Sequence, residues 1–161
     1  MTRSLGPGGA GRGPGRGPCG ARAGAWAGPG AGRLGAGAAP LRSFALTDNV
    51  PVLTAWANDT TYDRIYAAQI EALVDTDDVV IAISSSGRSP NIVAAVRSAQ
   101  ERGAHTIGLT GFDGGPTLDL VDVAIHVPVH DYGIVEDVHA AVGHALTAAI
   151  RAASEKAIDE Q

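Results

Sequence analysis

The chain has 161 residues and a formal net charge of -5, a length that suits one domain. Residues 1–47 contain six arginines and no acid, so residues 48–161 hold the other six basic residues and all 17 acidic ones. A folded part this acidic argues against nucleic acid as the main partner, because phosphate backbones are bound through positive surface. The single Cys19 excludes an internal disulfide framework and a multi-cysteine zinc site.

Residues 1–40 are of low complexity, since Gly, Ala, Pro and Arg fill 33 of these 40 positions. Such a stretch has too few apolar side chains to offset its ordering entropy. Two interpretations stay open: a disordered basic tail or linker, or a GC-rich stretch translated in the wrong frame or from a misplaced start. We predict a low-complexity segment over 1–42 and one domain over 43–161.

Patterns from residue 43 onward predict strands that alternate with helices. The predicted strands are 43–47, 78–84, 105–110 and 123–129, and the predicted helices are 60–74, 90–102, 118–121 and 134–157. The strand at 78–84 is a continuous apolar run, which is typical of a strand buried on both faces. Pro90 and Gly103 mark the start and the end of the second helix. The alternation predicts a parallel sheet with right-handed crossovers in a three-layer α/β/α fold.

No apolar run reaches the roughly 18 residues that a membrane span requires. The N-terminus also lacks the apolar core of a secretory signal. We therefore expect a soluble, cytoplasmic protein with no membrane partner.

Four hydroxyls lie in the turn between the second strand and the second helix, namely Ser84, Ser85, Ser86 and Ser89. We call residues 84–89 the serine turn. It lies at the carboxyl end of a predicted parallel strand and before a helix N-terminus, where ligands and anions bind. The pattern therefore predicts a phosphate site. The alternative is that Ser89 only caps the helix and the other three serines form a polar turn. Arg88 either adds charge to this site or faces solvent.

Five motifs in order resemble the sugar isomerase (SIS) fold, and specifically the phosphoheptose isomerase family. They are "AND" at 57–59, the serine turn, "GLTGFDGG" at 108–115, "VP" at 127–128 and "VEDVHAAVGH" at 135–144. Each motif is weak alone, but the set with its spacing is specific. The resemblance covers residues 43–155. It implies isomerisation of sedoheptulose 7-phosphate to an aldoheptose 7-phosphate by a zinc-containing homotetramer with sites between subunits.

The resemblance assigns roles to several residues. It implies that the serine turn holds the substrate phosphate and that Asn58 and Asp59 contact sugar hydroxyls. Without it, these two residues would be interpreted as caps of the helix predicted at 60. His144 matches a zinc-binding histidine that also transfers protons. Glu136 matches a position where the family commonly has glutamine as zinc ligand and substrate contact. His139 is interpreted as a core or helix-packing histidine.

The resemblance also implies parts that this sequence lacks. The family has a further strand, a Gly-Asn-Gly-Gly-Ser turn and a helix carrying a histidine and a glutamate, all upstream of the position that Ser43 matches. The segment "GPGGAGRG" at 6–13 does not match that motif. We therefore expect an incomplete zinc ligand set, one missing catalytic group and one missing strand.

Three functions stay open on the sequence. The first is a phosphoheptose-type isomerase acting by enediol proton transfer. The second is a non-catalytic SIS module that binds a phosphosugar. The third is a protein-binding scaffold, like the family relative that associates with the bacterial replication initiator. His144 favours the first, and the missing upstream part favours the other two.

Overall fold

The structure is a computed structural model that describes residues 23–24 and 43–159, with side chains for 43–156. The strands are β1 (Ala23–Gly24), β2 (Ser43–Phe44), β3 (Val79–Ser84), β4 (His105–Gly111) and β5 (Val123–Val127). The helices are α1 (Val50–Asp59), α2 (Arg64–Leu73), α3 (Pro90–Glu101), α4 (Gly115–Leu120) and α5 (Tyr132–Asp159).

The described strands form one parallel sheet in the order β2-β1-β3-β4-β5. Strands β3 and β4 pair in register from Val79 with His105 to Ser84 with Thr110. Their carboxyl ends therefore lie side by side at one edge of the sheet. The turns that follow these two strands emerge next to each other, which is where open α/β sheets bind their ligands.

Helices α2 and α3 cover one face of the sheet and form the core with it. The buried core residues in this cluster are Leu46, Ile70, Val74, Val80, Ala95, Ala99 and Ala104. Ile70 is completely buried, and full burial of one such side chain contributes about 1.5–3 kcal/mol to folding. Three alanines let the helices approach the strands closely, so the core is formed largely by small side chains.

The opposite face of the sheet is covered differently. Residues of β3 alternate between buried and half-buried along the strand, and neighbouring residues of a strand point to opposite faces. Helix α5 packs on this second face near the end of β4, where a Cβ on Gly111 would lie 2.5 Å from the Val135 methyls. The prediction of a strand buried on both faces is therefore wrong for the described residues, because Val79, Ile81 and Ile83 stay half-buried.

The structure confirms the parallel α/β architecture and most of the predicted elements. Strands β3, β4 and β5 and helices α3 and α5 lie within a few residues of their predicted bounds. Strand β2 is shorter than the predicted 43–47, α2 begins four residues later than predicted, and α4 begins three residues earlier. The prediction missed α1 altogether.

One strand expected to be missing has a counterpart. Residues 23–24 form β1, which pairs with β2 on one side and β3 on the other. The expectation of an absent strand is therefore wrong at this position of the sheet. The remaining residues up to 42 lie outside the described part, so the predicted domain boundary between 42 and 43 stays a prediction. None of the helices in the described part of the chain has both the length and the hydrophobicity that a membrane span requires.

Candidate functional site

The serine turn lies at the carboxyl end of β3. It is closed by the amide of Gly87, which donates to the carbonyl of Ser84 at 2.9 Å. Gly87 has φ +63°, a left-handed conformation that glycine adopts without a Cβ penalty. The amide of Gly111 donates to the carbonyl of Ser85 at 2.7 Å. The turn is thus joined to the end of β4 as well as to its own strand.

The hydroxyls of the turn make contacts with one another. Ser84 Oγ donates to Ser89 Oγ at 3.3 Å, and the amide of Arg88 donates to Ser86 Oγ at 3.3 Å. Ser89 occupies the N-cap position of α3, but its side chain makes no capping hydrogen bond. Its hydroxyl lies instead beside that of Ser84, five residues earlier in the chain. The contacts of Ser89 therefore do not match the interpretation of this residue as a simple helix cap.

A second loop, residues 111–115 between β4 and α4, packs against the serine turn. A Cβ on Gly87 would lie 1.7 Å from the carbonyl oxygen of Gly114, so only glycine permits this approach. The buried Thr117 donates to the carbonyl of Gly87 from its hydroxyl at 2.8 Å and from its amide at 3.1 Å. Two hydrogen bonds to one carbonyl fix the orientation of the turn at its glycine.

Arg88 forms an ion pair with Asp113 of this second loop. The Arg88 hydrogen bond is the main reason why the pKa of Asp113 lies below its ordinary value, and burial opposes it. Arg88 was predicted either to add charge to the site or to face solvent, and the structure matches neither alternative fully. The guanidinium is accessible to solvent, but it is engaged by a carboxylate.

Asn58 and Asp59 lie at the end of α1 rather than before a helix. Both are exposed, and Asn58 Nδ2 donates to Asp59 Oδ1 at 3.1 Å. Helix α1 has no buried residue and packs chiefly against α2. The interpretation of the pair as caps of the next helix is therefore wrong, because α2 begins only at Arg64. The role of the pair in sugar binding stays a prediction.

Helix α5 carries the remaining predicted site residues. Glu136 directly follows Val135, which packs at the end of β4, so it lies near the edge that holds the serine turn. Glu136 and His144 are both exposed. Eight residues of helix separate them by about 12 Å along the axis. In the described part of the chain, no group of three or more His, Cys, Asp or Glu residues is placed to hold a metal ion.

His139 lies between these two residues in sequence and is buried, with 5% of its surface exposed, which confirms its interpretation as a core histidine. Its Nε2 lies 3.2 Å from the carbonyl of Thr110. Because a carbonyl only accepts, Nε2 carries the proton of this hydrogen bond. Nδ1 is buried and has no hydrogen-bond partner among the residues that the structure describes. The bond ties α5 to the last residues of β4.

Three residues near the site were not singled out on the sequence. Thr117 and Asp113 contact the serine turn, and Phe112 has φ +52° and packs on the rings of His130 and Tyr132 at centroid distances of 5.4 and 4.6 Å. The paired glycines at 114 and 115 were the available signal for a tight turn after β4. The partners of that turn, 25 to 30 residues away in the chain, had no local signal.

The family model described as the SIS domain matches residues 13–111, which is more than half of the chain. The chain belongs to the SIS domain family. The match begins upstream of the predicted domain start at residue 43. It includes the serine turn and β4, so the resemblance to this fold is confirmed.

Curated relatives of this SIS domain are named phosphoheptose isomerase. The chain is 42% identical over 105 residues to the phosphoheptose isomerase of Maridesulfovibrio salexigens and 44% identical over 107 residues to that of Solidesulfovibrio magneticus. These alignments cover 65% and 66% of this chain, but 51% and 52% of the relatives. The chain therefore spans about half the length of the curated relatives it matches.

Two solved structures have the same fold as this SIS domain. The phosphoheptose isomerase from Neisseria gonorrhoeae matches with a TM-score of 0.71 and 32% identity, over 81% of this chain and 76% of that one. The enzyme from Francisella tularensis matches with a TM-score of 0.73 and 27% identity, over 80% and 74% of the two chains. The resemblance to phosphoheptose isomerases is thus confirmed in both sequence and fold.

Proposed function

We propose that the chain is an aldose–ketose isomerase of the phosphoheptose type, which converts sedoheptulose 7-phosphate into a glycero-manno-heptose 7-phosphate. The observation that carries the proposal is the serine turn at the carboxyl end of β3 and the N-terminus of α3. That turn lies in a region more than 40% identical to relatives named phosphoheptose isomerase.

The serine turn supplies the contacts that a phosphate needs. Hydroxyls donate to phosphate oxygens without bringing a long side chain into the site. The N-terminus of α3 adds the positive end of its helix dipole, which favours an anion. Ser84, Ser85, Ser86 and Ser89 would hold the phosphate, and Asn58 and Asp59 would contact the sugar hydroxyls.

The reaction moves a carbonyl between C2 and C1 of the sugar through an enediol. A base takes the proton from C1 of the ketose, and a proton is then delivered to C2, while the two oxygens exchange theirs. His144 would be one of the two proton-transfer groups, because an imidazole can both accept and donate a proton. The second group is a carboxylate in the family, and none of the site residues named above corresponds to it.

Zinc enters the proposal only as an ion that Glu136 and His144 would help to bind. Glutamate and histidine are zinc ligands, so Glu136 and His144 would contribute two donors, and zinc there would polarise the substrate oxygens. Two donors on one helix, about 12 Å apart along its axis, do not complete a tetrahedral site. The described residues therefore do not fit zinc by themselves, and no reaction step is assigned to it. A homotetramer and a cytoplasmic location likewise stay predictions from the resemblance and the sequence.

The test is a phosphorus NMR time course of sedoheptulose 7-phosphate with the full chain and added zinc. We expect a new aldose phosphate signal, which His144→Ala abolishes. His105→Ala is the matched control, because His105 is an exposed imidazole at the start of β4, at the other end of the strand from the site. Equal conversion by wild type and His144→Ala would refute the role of His144. Binding of the substrate without conversion would refute the isomerase proposal.

A non-catalytic phosphosugar-binding module is the second candidate. One observation favours it: residues 1–47 contain no carboxylate, and the first histidine of the chain is His105. The upstream segment therefore supplies neither the second proton-transfer group nor a histidine ligand. The same time course separates the two functions, since a module of this kind broadens the substrate signal and produces no aldose phosphate.

A further inference from the structure

Arg88 is the only charged side chain of the serine turn, and its guanidinium is held by Asp113 of the neighbouring loop. The two side chains are 60% and 55% exposed, respectively. This pair lies on the surface of the candidate site rather than in the core. An exposed arginine in a phosphate-binding turn would ordinarily be expected to point at the phosphate, because guanidinium groups bind phosphate in a bidentate manner.

The backbone around the pair is shaped for this arrangement. A Cβ on Gly115 would lie 2.8 Å from Cγ of Arg88 and 2.7 Å from the carbonyl of Gly87. The aliphatic part of Arg88 therefore passes over a position where a larger residue would displace it. Thr117 of α4, which directly follows this loop, holds the turn in place, because its hydroxyl and amide both donate to the Gly87 carbonyl. Arg88 is thus directed along residues 113–115.

We propose that Asp113 is a positioning residue that holds Arg88 against the 111–115 loop, so that the serine turn binds phosphate through uncharged donors. The inference rests on the proposed function of the turn as a phosphate site. Asp113 also places a negative charge beside that site, and the ion pair neutralises it. The turn then attracts a free inorganic anion only weakly, and the sugar part of the substrate must supply the remaining affinity.

The size of the effect follows from the exposure of the pair. Exposed ion pairs are worth a free energy that corresponds to about a two- to fivefold change in an equilibrium constant. Asp113→Asn should therefore tighten the binding of inorganic phosphate by about two- to fivefold, because Arg88 becomes available to the anion. Arg88→Ala should change phosphate affinity by less than about twofold in the wild-type background and by about two- to fivefold in the Asp113→Asn background. The two substitutions are thus coupled.

The experiment is a phosphorus NMR titration of the full chain with inorganic phosphate, repeated at low and high salt. The variants are Asp113→Asn, Arg88→Ala, their combination, and Asp113→Glu, whose carboxylate should restore wild-type affinity. Asp119→Asn is the matched control, because Asp119 is an exposed carboxylate on the adjacent α4. The Asp113→Asn variant should also depend more strongly on salt than wild type does. Asp113→Ser serves as a second neutral variant if Asp113→Asn does not fold.

Two results would overturn the inference. One is a loss of phosphate affinity on Arg88→Ala that is as large in the wild-type background as in the Asp113→Asn background, and the other is an Asp113→Asn variant that binds inorganic phosphate no more tightly than wild type. A parallel titration with sedoheptulose 7-phosphate separates this from the proposed function. If wild type binds the phosphosugar but Asp113→Asn leaves phosphate affinity unchanged, only the role of Asp113 is refuted. If no variant binds either ligand, the phosphate site itself is refuted and the inference with it.

Discussion

Gly87→Ala is the substitution to which the candidate site should be most sensitive. Gly87 has φ +63°, and a Cβ at this position would lie 1.7 Å from the carbonyl oxygen of Gly114. Ordinary van der Waals contact requires about 3.5 Å, so the backbone of one loop must move. A flexible side chain cannot relieve the clash, because the obstructing atom belongs to the main chain.

The expected loss in the free energy of unfolding of Gly87→Ala has two contributions. The left-handed conformation costs a non-glycine residue about 1–2 kcal/mol. Moving the 111–115 loop also disrupts the two hydrogen bonds from Thr117 to the Gly87 carbonyl, at about 0.5–1.5 kcal/mol each. The free energy of unfolding should therefore fall by about 2–5 kcal/mol in Gly87→Ala. With about 4 °C per kcal/mol for a domain of this size, the Tm should fall by about 8–20 °C.

Gly103→Ala is the matched control for this substitution. Gly103 has φ +76°, but the atoms nearest to a Cβ there belong to the flexible side chain of Thr76, at 3.3 Å. This variant should pay the conformational cost alone, and its Tm should fall by about 4–8 °C. The assays are thermal unfolding and phosphorus NMR titration with sedoheptulose 7-phosphate. Equal Tm values for the two variants, with phosphate binding intact in Gly87→Ala, would refute the packing of the two loops.

Three further outcomes are expected. Ser89→Ala should weaken phosphosugar binding by about tenfold, because a hydrogen bond to a charged group is lost. Ser154→Ala, close to the C-terminal end of α5, should leave binding unchanged in the same titration. Thr117→Val keeps the shape of the buried side chain but removes its hydroxyl, so the free energy of unfolding in urea should fall by about 1 kcal/mol; an unchanged urea midpoint would contradict that hydrogen bond. Hydrogen bonds from the amide and hydroxyl of Thr106 hold the pKa of Asp122 below its ordinary value in the folded chain. Its stabilisation is therefore present above the pKa of the unfolded chain and is lost as the pH falls through the lower, folded pKa. The urea midpoint of Asp122→Asn should consequently fall less than that of wild type between about pH 5 and pH 2, and parallel curves would count against the assignment.

Much of the fold could be predicted because its signals are local. Strands β3 and β4 are largely apolar runs, and α3 begins at Pro90 and ends before Gly103. Helix α1 was missed because its first half carries Pro51 and the β-branched residues Val50, Val52 and Thr54, which lower helix propensity. The sequence did contain one signal for the start of α1, namely its N-cap. Asn49 Oδ1 accepts a hydrogen bond from the amide of Val52 at 3.2 Å, and Pro51 lies in the first turn of the helix. Asn58 and Asp59 were assigned to the wrong end of a helix for the same reason.

The sequence by itself determined where the candidate site lies. Strands that alternate with helices predict a parallel sheet, and in such a sheet the turn after a strand leads into the N-terminus of the next helix. Four serines in that turn were therefore enough to predict an anion site. Local pattern and chain order carry this information, and no knowledge of distant residues is required.

Only the tertiary structure decided which residues act on that turn. Gly114, Asp113 and Thr117 contact Gly87 and Arg88 because β3 and β4 pair in register and bring their following loops together. These contacts join residues 25 to 30 positions apart, and nothing in either loop alone specifies its partner. The engagement of Arg88 by a carboxylate, which sets the charge of the site, is therefore a consequence of sheet order and register.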